Sequence, residues 1–473
     1  MATAVRAGAW RELLDTGLFG WFVLLCVGVW LHSADSLVMA TIVPAVVDDI
    51  GGVTYVGWTI SLYQIGAVIS GATTALICRS AGVRRVLAAA ALIYAVGCVI
   101  AAASPNMASL LGGRLVQGVG GGMLISLSYV AIQQSFAEHL WSRLFGIVAV
   151  IWGVGSLLGP LIGGVFASLG AWRGAFWCFT LQAGALWALA MILLPIQPPE
   201  QPSEHRVGGS FHVLPLLALS VAILMVAQAG AIGRVAVSVP LSLAGIGLLY
   251  MAARLDQRSA QKLLPAHVLD VCHPMGAGLL MVLALSAATT GFWTYGPLLL
   301  KIMFGTPPLV SGYILAGEAL AWSAATMAVS AASASAEPAL IRLGVVLVAA
   351  GAASFAVVVP AGSLTGMIAC ALLQGLGFGL CWPSIVRRTV RFADDRDRIL
   401  AAAAPGTVQR IGYAVGAAAT GIAGNASGLA DGVSLTTART AGFWVFASFI
   451  PVLLVGVFGA WRFTGGATRP DLE

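Results

Sequence analysis

The sequence predicts an all-α integral membrane protein, and three observations carry that prediction. Of 473 residues, 59% are hydrophobic and only 9% are charged, against about 25% charged in soluble domains. The mean hydropathy of +0.95 is too apolar for a surface facing water, so the bilayer is the solvent this chain suits. The apolar residues fall into runs of about 20, the length a helix needs to cross the hydrocarbon. The 58 glycines suit helices that approach closely in lipid.

The runs follow in order. The first, 20–43, comes after MATAVRAGAWRELLDTG, which has no cleavable signal pattern, so the run is expected to remain as a span. Polar or Gly/Pro punctuation then separates 55–78, 86–103, 107–132, 144–168 and 171–194. The polar stretch PIQPPEQPSEHRVGG precedes 213–232 and 235–253, and RLDQRSAQKLLPAHVLDVCHP precedes 276–300. The remaining runs are 309–331, 343–359, 364–386, 400–423 and 441–461, which makes fourteen. Basic residues concentrate in the N-terminus, the even-numbered loops and the C-terminus, whereas the odd-numbered loops hold only Arg173, Arg234, Lys301 and Arg439. Both termini are therefore expected in the cytoplasm. Twelve spans would give the same parity.

A repeat organises the runs. LVQGVGGG in the fourth run matches LLQGLGFG in the twelfth, with Gln117, Gly118, Gly120 and Gly122 on Gln374, Gly375, Gly377 and Gly379 at an offset of 257. The same offset carries Gly155, Gly159 and Gly164 of the fifth run onto Gly412, Gly416 and Gly421 of the thirteenth. Two runs in one register predict a duplicated six-helix unit: 1–200 and 274–473 as pseudo-symmetric bundles, with 201–273 as a linker carrying two inserted helices. Duplicated bundles of this kind are a transporter feature, with the binding site between the repeats.

These residues resemble the major facilitator superfamily, in particular its drug:proton antiporters with fourteen transmembrane helices. GSLLGPLIGG (Gly155, Gly159, Pro160, Gly163 and Gly164) matches the antiporter pattern G-x-x-x-G-P-x-x-G-G at every fixed position. GRLVQG is similar to the family's Arg-x-x-Gln-Gly and places Arg114 on its arginine; QRIGYAVGAA does the same for Arg410. Asp35 and Pro44 keep the nine-residue spacing of the family's first-span signature. ALICRSAGVRR (Arg79, Gly82, Arg84, Arg85) resembles the family's gating loop, but Arg79 stands at its acidic position and Ala75 at its first glycine. WRGAF opens the sixth run as in the family, without the Asn and Pro that usually follow. The resemblance implies the major facilitator fold and small-molecule transport by alternating access.

Four charges stand well inside runs: Asp35, Arg114, Glu318 and Arg410. Each costs about 2.5–3.5 kcal/mol at mid-helix on insertion scales, so each is expected to face protein or water. Burial and a nearby arginine pull a carboxyl's protonation in opposite directions. Alternation between such surroundings would make Asp35 a proton or cationic-substrate site; the alternative is a fixed pair or a helix-kink cap. His32, three residues earlier, is expected on the same face, sharing the proton or lining a cavity. Glu318 is expected opposite Ser61 by the offset, near Tyr63 and Gln64, either as a second proton site or as an interhelical hydrogen-bond partner. Trp322, one turn on, would offer a π-face. Arg114 and Arg410 would couple to a carboxylate or form structural contacts, and Gln117 and Gln374 are expected to line the cavity. The glycines and Pro160 of the fifth run are expected to make a tight seam.

The net charge of +6 is scattered over short loops, which argues against nucleic acid, and the seven cysteines lack CxxC spacing, so no metal or cofactor is expected. No nucleophile triad or phosphate loop favours an enzyme. The reading is a monomeric, proton-coupled exporter of amphipathic molecules in a bacterial inner membrane, in contact with lipid, protons and a small-molecule substrate. Proton-coupled uptake of a metabolite and a non-transporting membrane receptor are the alternatives.

Overall fold

The computed structural model describes residues 19–136, 138–194, 213–232, 235–259, 262, 264–330, 332–394 and 397–465. A helix lies over each run read from the sequence. The first six are α1 Phe19–Ile50, α2 Val56–Ala81, α3 Val83–Ala102, α4 Met107–Ser135, α5 Glu138–Ser168 and α6 Arg173–Leu193. Two more follow, α7 Val213–Ala231 and α8 Val235–Arg258. The last group is α9 Pro274–Phe304, α10 Pro308–Ala328, α11 Glu337–Val358, α12 Leu364–Arg391, α13 Arg398–Gly424, α14 Leu435–Ala447 and α15 Ile450–Gly465. The final run is thus longer than its sequence bounds and broken in two. Ten helical stretches among the described residues are long and apolar enough to cross a membrane. The predicted spans outside that set are α2, α7, α10 and α13, and all four pack at the meeting of the two repeats.

The packing repeats itself. Helices α2 and α3 flank α4, as α10 and α11 flank α12; α1 packs on α5 as α9 does on α13; α3 packs on α6 as α11 does on α14 and α15. Even the starts correspond. The Asn106 side chain caps α4 by accepting from Ser109 N at 3.0 Å, and Ser363 caps α12 by accepting from Gly366 N at 3.1 Å. Across the two groups, α5 meets α10 and α2 meets α13, so the crossing pairs exchange roles in the same way. Helix α7 packs on α8, α13 and α2.

The register differs from the sequence expectation in one respect. A Cβ on Gly118 would strike the Tyr63 carbonyl, and one on Gly375 would strike that of Glu318. Glu318 therefore stands where Tyr63 stands in the first repeat, not opposite Ser61. The connections into α2 and α10 differ in length, so one constant offset cannot hold for every helix. Ser61 instead reaches the other group, donating to Ala414 O at 3.0 Å.

Cross-group contacts gather at one end. There the Lys301 ammonium pairs with Asp48, joining α9 to α1. Gly164 packs on Leu309, and Gly312 on Pro160 and Thr41. Asn425 Nδ2 donates to Thr54 O at 2.8 Å and Gly230 O at 2.7 Å, linking α13 to the turn before α2 and to α7. Toward the opposite end, Gly146 and Gly153 of α5 and Gly406 of α13 have open space beside them.

Candidate functional site

Asp35 sits at the contact of α1 with α4, 1% exposed. Arg114 Nη1 donates to both its carboxylate oxygens, at 2.9 and 2.7 Å, and to Gln117 Oε1 at 2.8 Å. Gln117 Nε2 donates to Asp35 Oδ1 at 2.6 Å. Arg114 and Gln117 reach the same carboxylate because three residues along a helix return the chain to one face. Arg114 Nε donates to Thr59 O at 3.2 Å, and the guanidinium lies 4.4 Å from the Tyr63 ring centroid. The ion pair is thus closed and further hydrogen-bonded through Gln117 and Thr59, the condition under which a buried charge pair survives.

His32 makes no hydrogen bond or ion pair with Asp35 among the described residues. Its Nδ1 meets the Tyr63 hydroxyl at 2.8 Å, and its ring stands against Tyr63 and Trp152. Asp35 points at α4 while His32, one turn back, points at α2. Tyr94, which nothing in the sequence marked out within an apolar run, donates its hydroxyl to Leu31 O at 3.2 Å beside this group.

The second carboxyl is held differently. Glu318 is 3% exposed. Gln374 Nε2 donates to its Oε1 at 2.7 Å, whereas its Oε2 is buried with no hydrogen-bond partner among the described residues. Gln117 and Gln374, at matching positions of α4 and α12, therefore hold one carboxyl each. They are buried within their bundles, which corrects the expectation that they line a cavity: each glutamine is consumed by the acid beside it. Trp322 stacks on Phe378 at 4.7 Å and leans on Trp382, so Phe378 occupies one of its faces. Tyr63 is likewise buried, while Gln64 is half-buried with an unpartnered Oε1.

Arg410 of α13 is half-buried and has no ion pair or hydrogen bond among the described residues. Its Nη1 lies 3.7 Å from where a Cβ on Gly71 of α2 would stand, so it reaches toward the first repeat.

The antiporter pattern divides. Gly155, Gly159 and Gly163 receive Ser33, Ala34, Leu37, Val38 and Thr41 of α1, inside their own bundle, whereas Pro160 and Gly164 meet α10 of the other. The expected seam thus rests on two residues of the pattern, because the glycines recur on the face that α1 covers. In the gating loop, Gly82 takes φ 78° to break between α2 and α3. Arg84 donates to Met191 O of α6 at 2.5 Å, and Arg85 is exposed. The side chain of Arg79 lies outside the described residues. A charge cluster that the sequence reading passed over belongs to the second repeat: Glu337, 1% exposed, pairs with Arg387 at 2.9 Å and with Arg391. Its signal was legible, since an acid followed by proline marks a helix start.

Comparisons with known proteins agree with this architecture. The sequence pattern described as Major Facilitator Superfamily matches residues 25–336. A "probable multidrug-efflux transporter" of Mycobacterium tuberculosis is 30% identical over 474 residues, covering 98% of each chain. Among solved structures, a D-xylose–proton symporter superposes with a TM-score of 0.66 at 16% identity, over 96% of this chain and 100% of that one. A peptide transporter gives 0.67 at 13% identity, over 95% of each; at such identities these two establish the fold alone. With a matching pattern over most of its length, a full-length relative and paired six-helix bundles, the chain belongs to the major facilitator superfamily and is a multi-pass membrane transporter.

Proposed function

We propose that the protein is a proton-coupled exporter of amphipathic small molecules that works by alternating access. The observation that carries the reading is the unequal holding of two buried carboxyls. Asp35 is balanced by Arg114, while Glu318 has only neutral donors beside it, Gln374 and Trp293, and its Oε2 makes no close hydrogen bond. Protonation of Glu318 removes a charge that nothing beside it balances; protonation of Asp35 releases Arg114. Either event changes which arrangement of the bundles is favoured, and only such a differential effect drives a conformational cycle. The direction, outward, is supported by the full-length relative named as a multidrug-efflux transporter.

The same reading assigns 1–200 and 274–473 as the moving bundles, 201–273 as the inserted pair, and all fourteen helical runs as spans of a drug:proton antiporter. It places the end joined by Lys301, Asp48 and Asn425 outside the cell and the basic loops in the cytoplasm of a bacterium, with the protein working as a monomer in its inner membrane. The space between the bundles then opens inward in this structure. Substrate enters there or from the inner leaflet, and external protons release it.

The test uses everted membrane vesicles, whose interior corresponds to the outside of the cell. Acidifying the interior by respiration should drive ethidium into vesicles carrying the protein, and nigericin should abolish the uptake. Gradient-driven loss of ethidium from the vesicles would instead mark an importer.

A further inference from the structure

We infer that Arg410 binds an acidic group, a carboxylate, sulfonate or phosphate, on the aromatic or apolar body of those transported molecules that carry one. The inference rests on the exporter reading above and names its substrate class.

The other described interior arginines have their acceptors. Arg114 has Asp35, Arg387 and Arg391 have Glu337, and Arg388 has the carbonyls of Phe463 and Thr464 at 3.0 and 3.2 Å. Arg410 has no such partner among the described residues, although it stands inside a span where a cation needs one. On the opposite bundle it approaches Gly71 of α2, and the groups there that feel its charge, Tyr63, Tyr129 and His32, bring no negative charge. Neither interior acid pairs with it among the described residues: Asp35 is taken by Arg114 and Gln117, and Glu318 lies against Gln374 on α12. A guanidinium without an acceptor, reaching toward the other bundle, calls for an oxyanion, which its fork matches bidentately. Tyr129, which feels the Arg410 charge and is 41% exposed, offers a ring on the first-bundle side for an aromatic body.

The same chemistry is offered by a soluble aromatic acid and by an anionic lipid headgroup. The probe is dansylglycine, with its methyl ester as the uncharged twin, and dansyl fluorescence reports binding to protein in phosphatidylcholine nanodiscs. The parent should bind the acid about tenfold or more tightly than the ester, and Arg410→Gln should remove that difference. Arg410→Lys, which keeps the charge without the fork, should fall between. An unshifted melting temperature certifies that each variant is folded. If an equal mixture of phosphatidylcholine and phosphatidylglycerol weakens acid binding in the parent but leaves the ester alone, the headgroup competes for the site; unchanged binding assigns the site to the soluble acid. Equal affinities for acid and ester in the parent, or an acid preference that survives Arg410→Gln, would overturn the inference. Gradient-driven export of the ester without any acid preference would do so while leaving the exporter reading intact. Failure to export either probe or ethidium would remove the reading itself.

Discussion

Asp35 and Glu318 look alike in the sequence, each a lone acid in an oily run, and the structure separates them by their partners. Asp35→Asn leaves Arg114 buried with no counter-charge and should cost about 3 kcal/mol of stability, read as a lowered melting temperature in detergent. Adding Arg114→Gln should restore part of that loss, with a coupling of about 0.5–3 kcal/mol in the double-mutant cycle. Strict additivity would show that the pair is not a unit. Glu318→Gln loses no ion pair and should stay within about 1 kcal/mol of the parent. Gln374→Leu, by contrast, strips Glu318 of its close donor at 2.7 Å and should cost about 1–3 kcal/mol. The four interior charges were legible because charge is rare in such runs. Their pairing was not: which face of α1 looks at α4 depends on helix rotation, and a run hydrophobic all round carries no stripe to fix it. For that reason His32 and Asp35 share a side in sequence spacing but turn to different neighbours, Tyr63 and Arg114.

At the scale of helices, glycine spacing was the most readable signal. The residues that matched between repeats, Gly118 with Gly375 and Gly155 with Gly412, are points where another helix's backbone or a side chain comes too close for a Cβ. Gly118→Val and Gly375→Val should therefore each prevent α4 from seating on α2, or α12 on α10, at a cost of about 1–3 kcal/mol or more. The measurement is the monodisperse fraction of fluorescently tagged protein on size exclusion; a parental profile for both would refute the packing role. The sequence could not show that most of the antiporter pattern faces α1 rather than the other bundle. A stripe of small residues says that something packs closely, not what packs. The offset between repeats was also readable only where connections happen to be equal in length, which is why Glu318 fell opposite Tyr63.

For the whole molecule, duplication and crossing contacts define two bundles that touch firmly at one end, through Lys301–Asp48, Asn425 and the α5–α10 seam. If those contacts part during each cycle, fastening them must stop transport. With the exposed Cys272 replaced by Ser, Asp48→Cys and Lys301→Cys joined by a short thiol-specific cross-linker should block ethidium movement, and cleaving the linker should restore it. Continued transport by fully cross-linked protein would show that this end does not open. That the chain lives in a membrane followed from composition, because 9% charged residues leave too little for a water-facing surface, and the paired bundles followed from run length and the repeat; the state of the cavity did not, because both arrangements of the bundles use the same sequence. The most direct measurement of the central claim is proton flux in proteoliposomes holding a pH-sensitive dye, with ethidium supplied on one side. The parent should move protons against ethidium, and Glu318→Gln should carry ethidium down its own gradient without protons. Undiminished ethidium-linked proton movement in Glu318→Gln and Asp35→Asn alike would contradict the account.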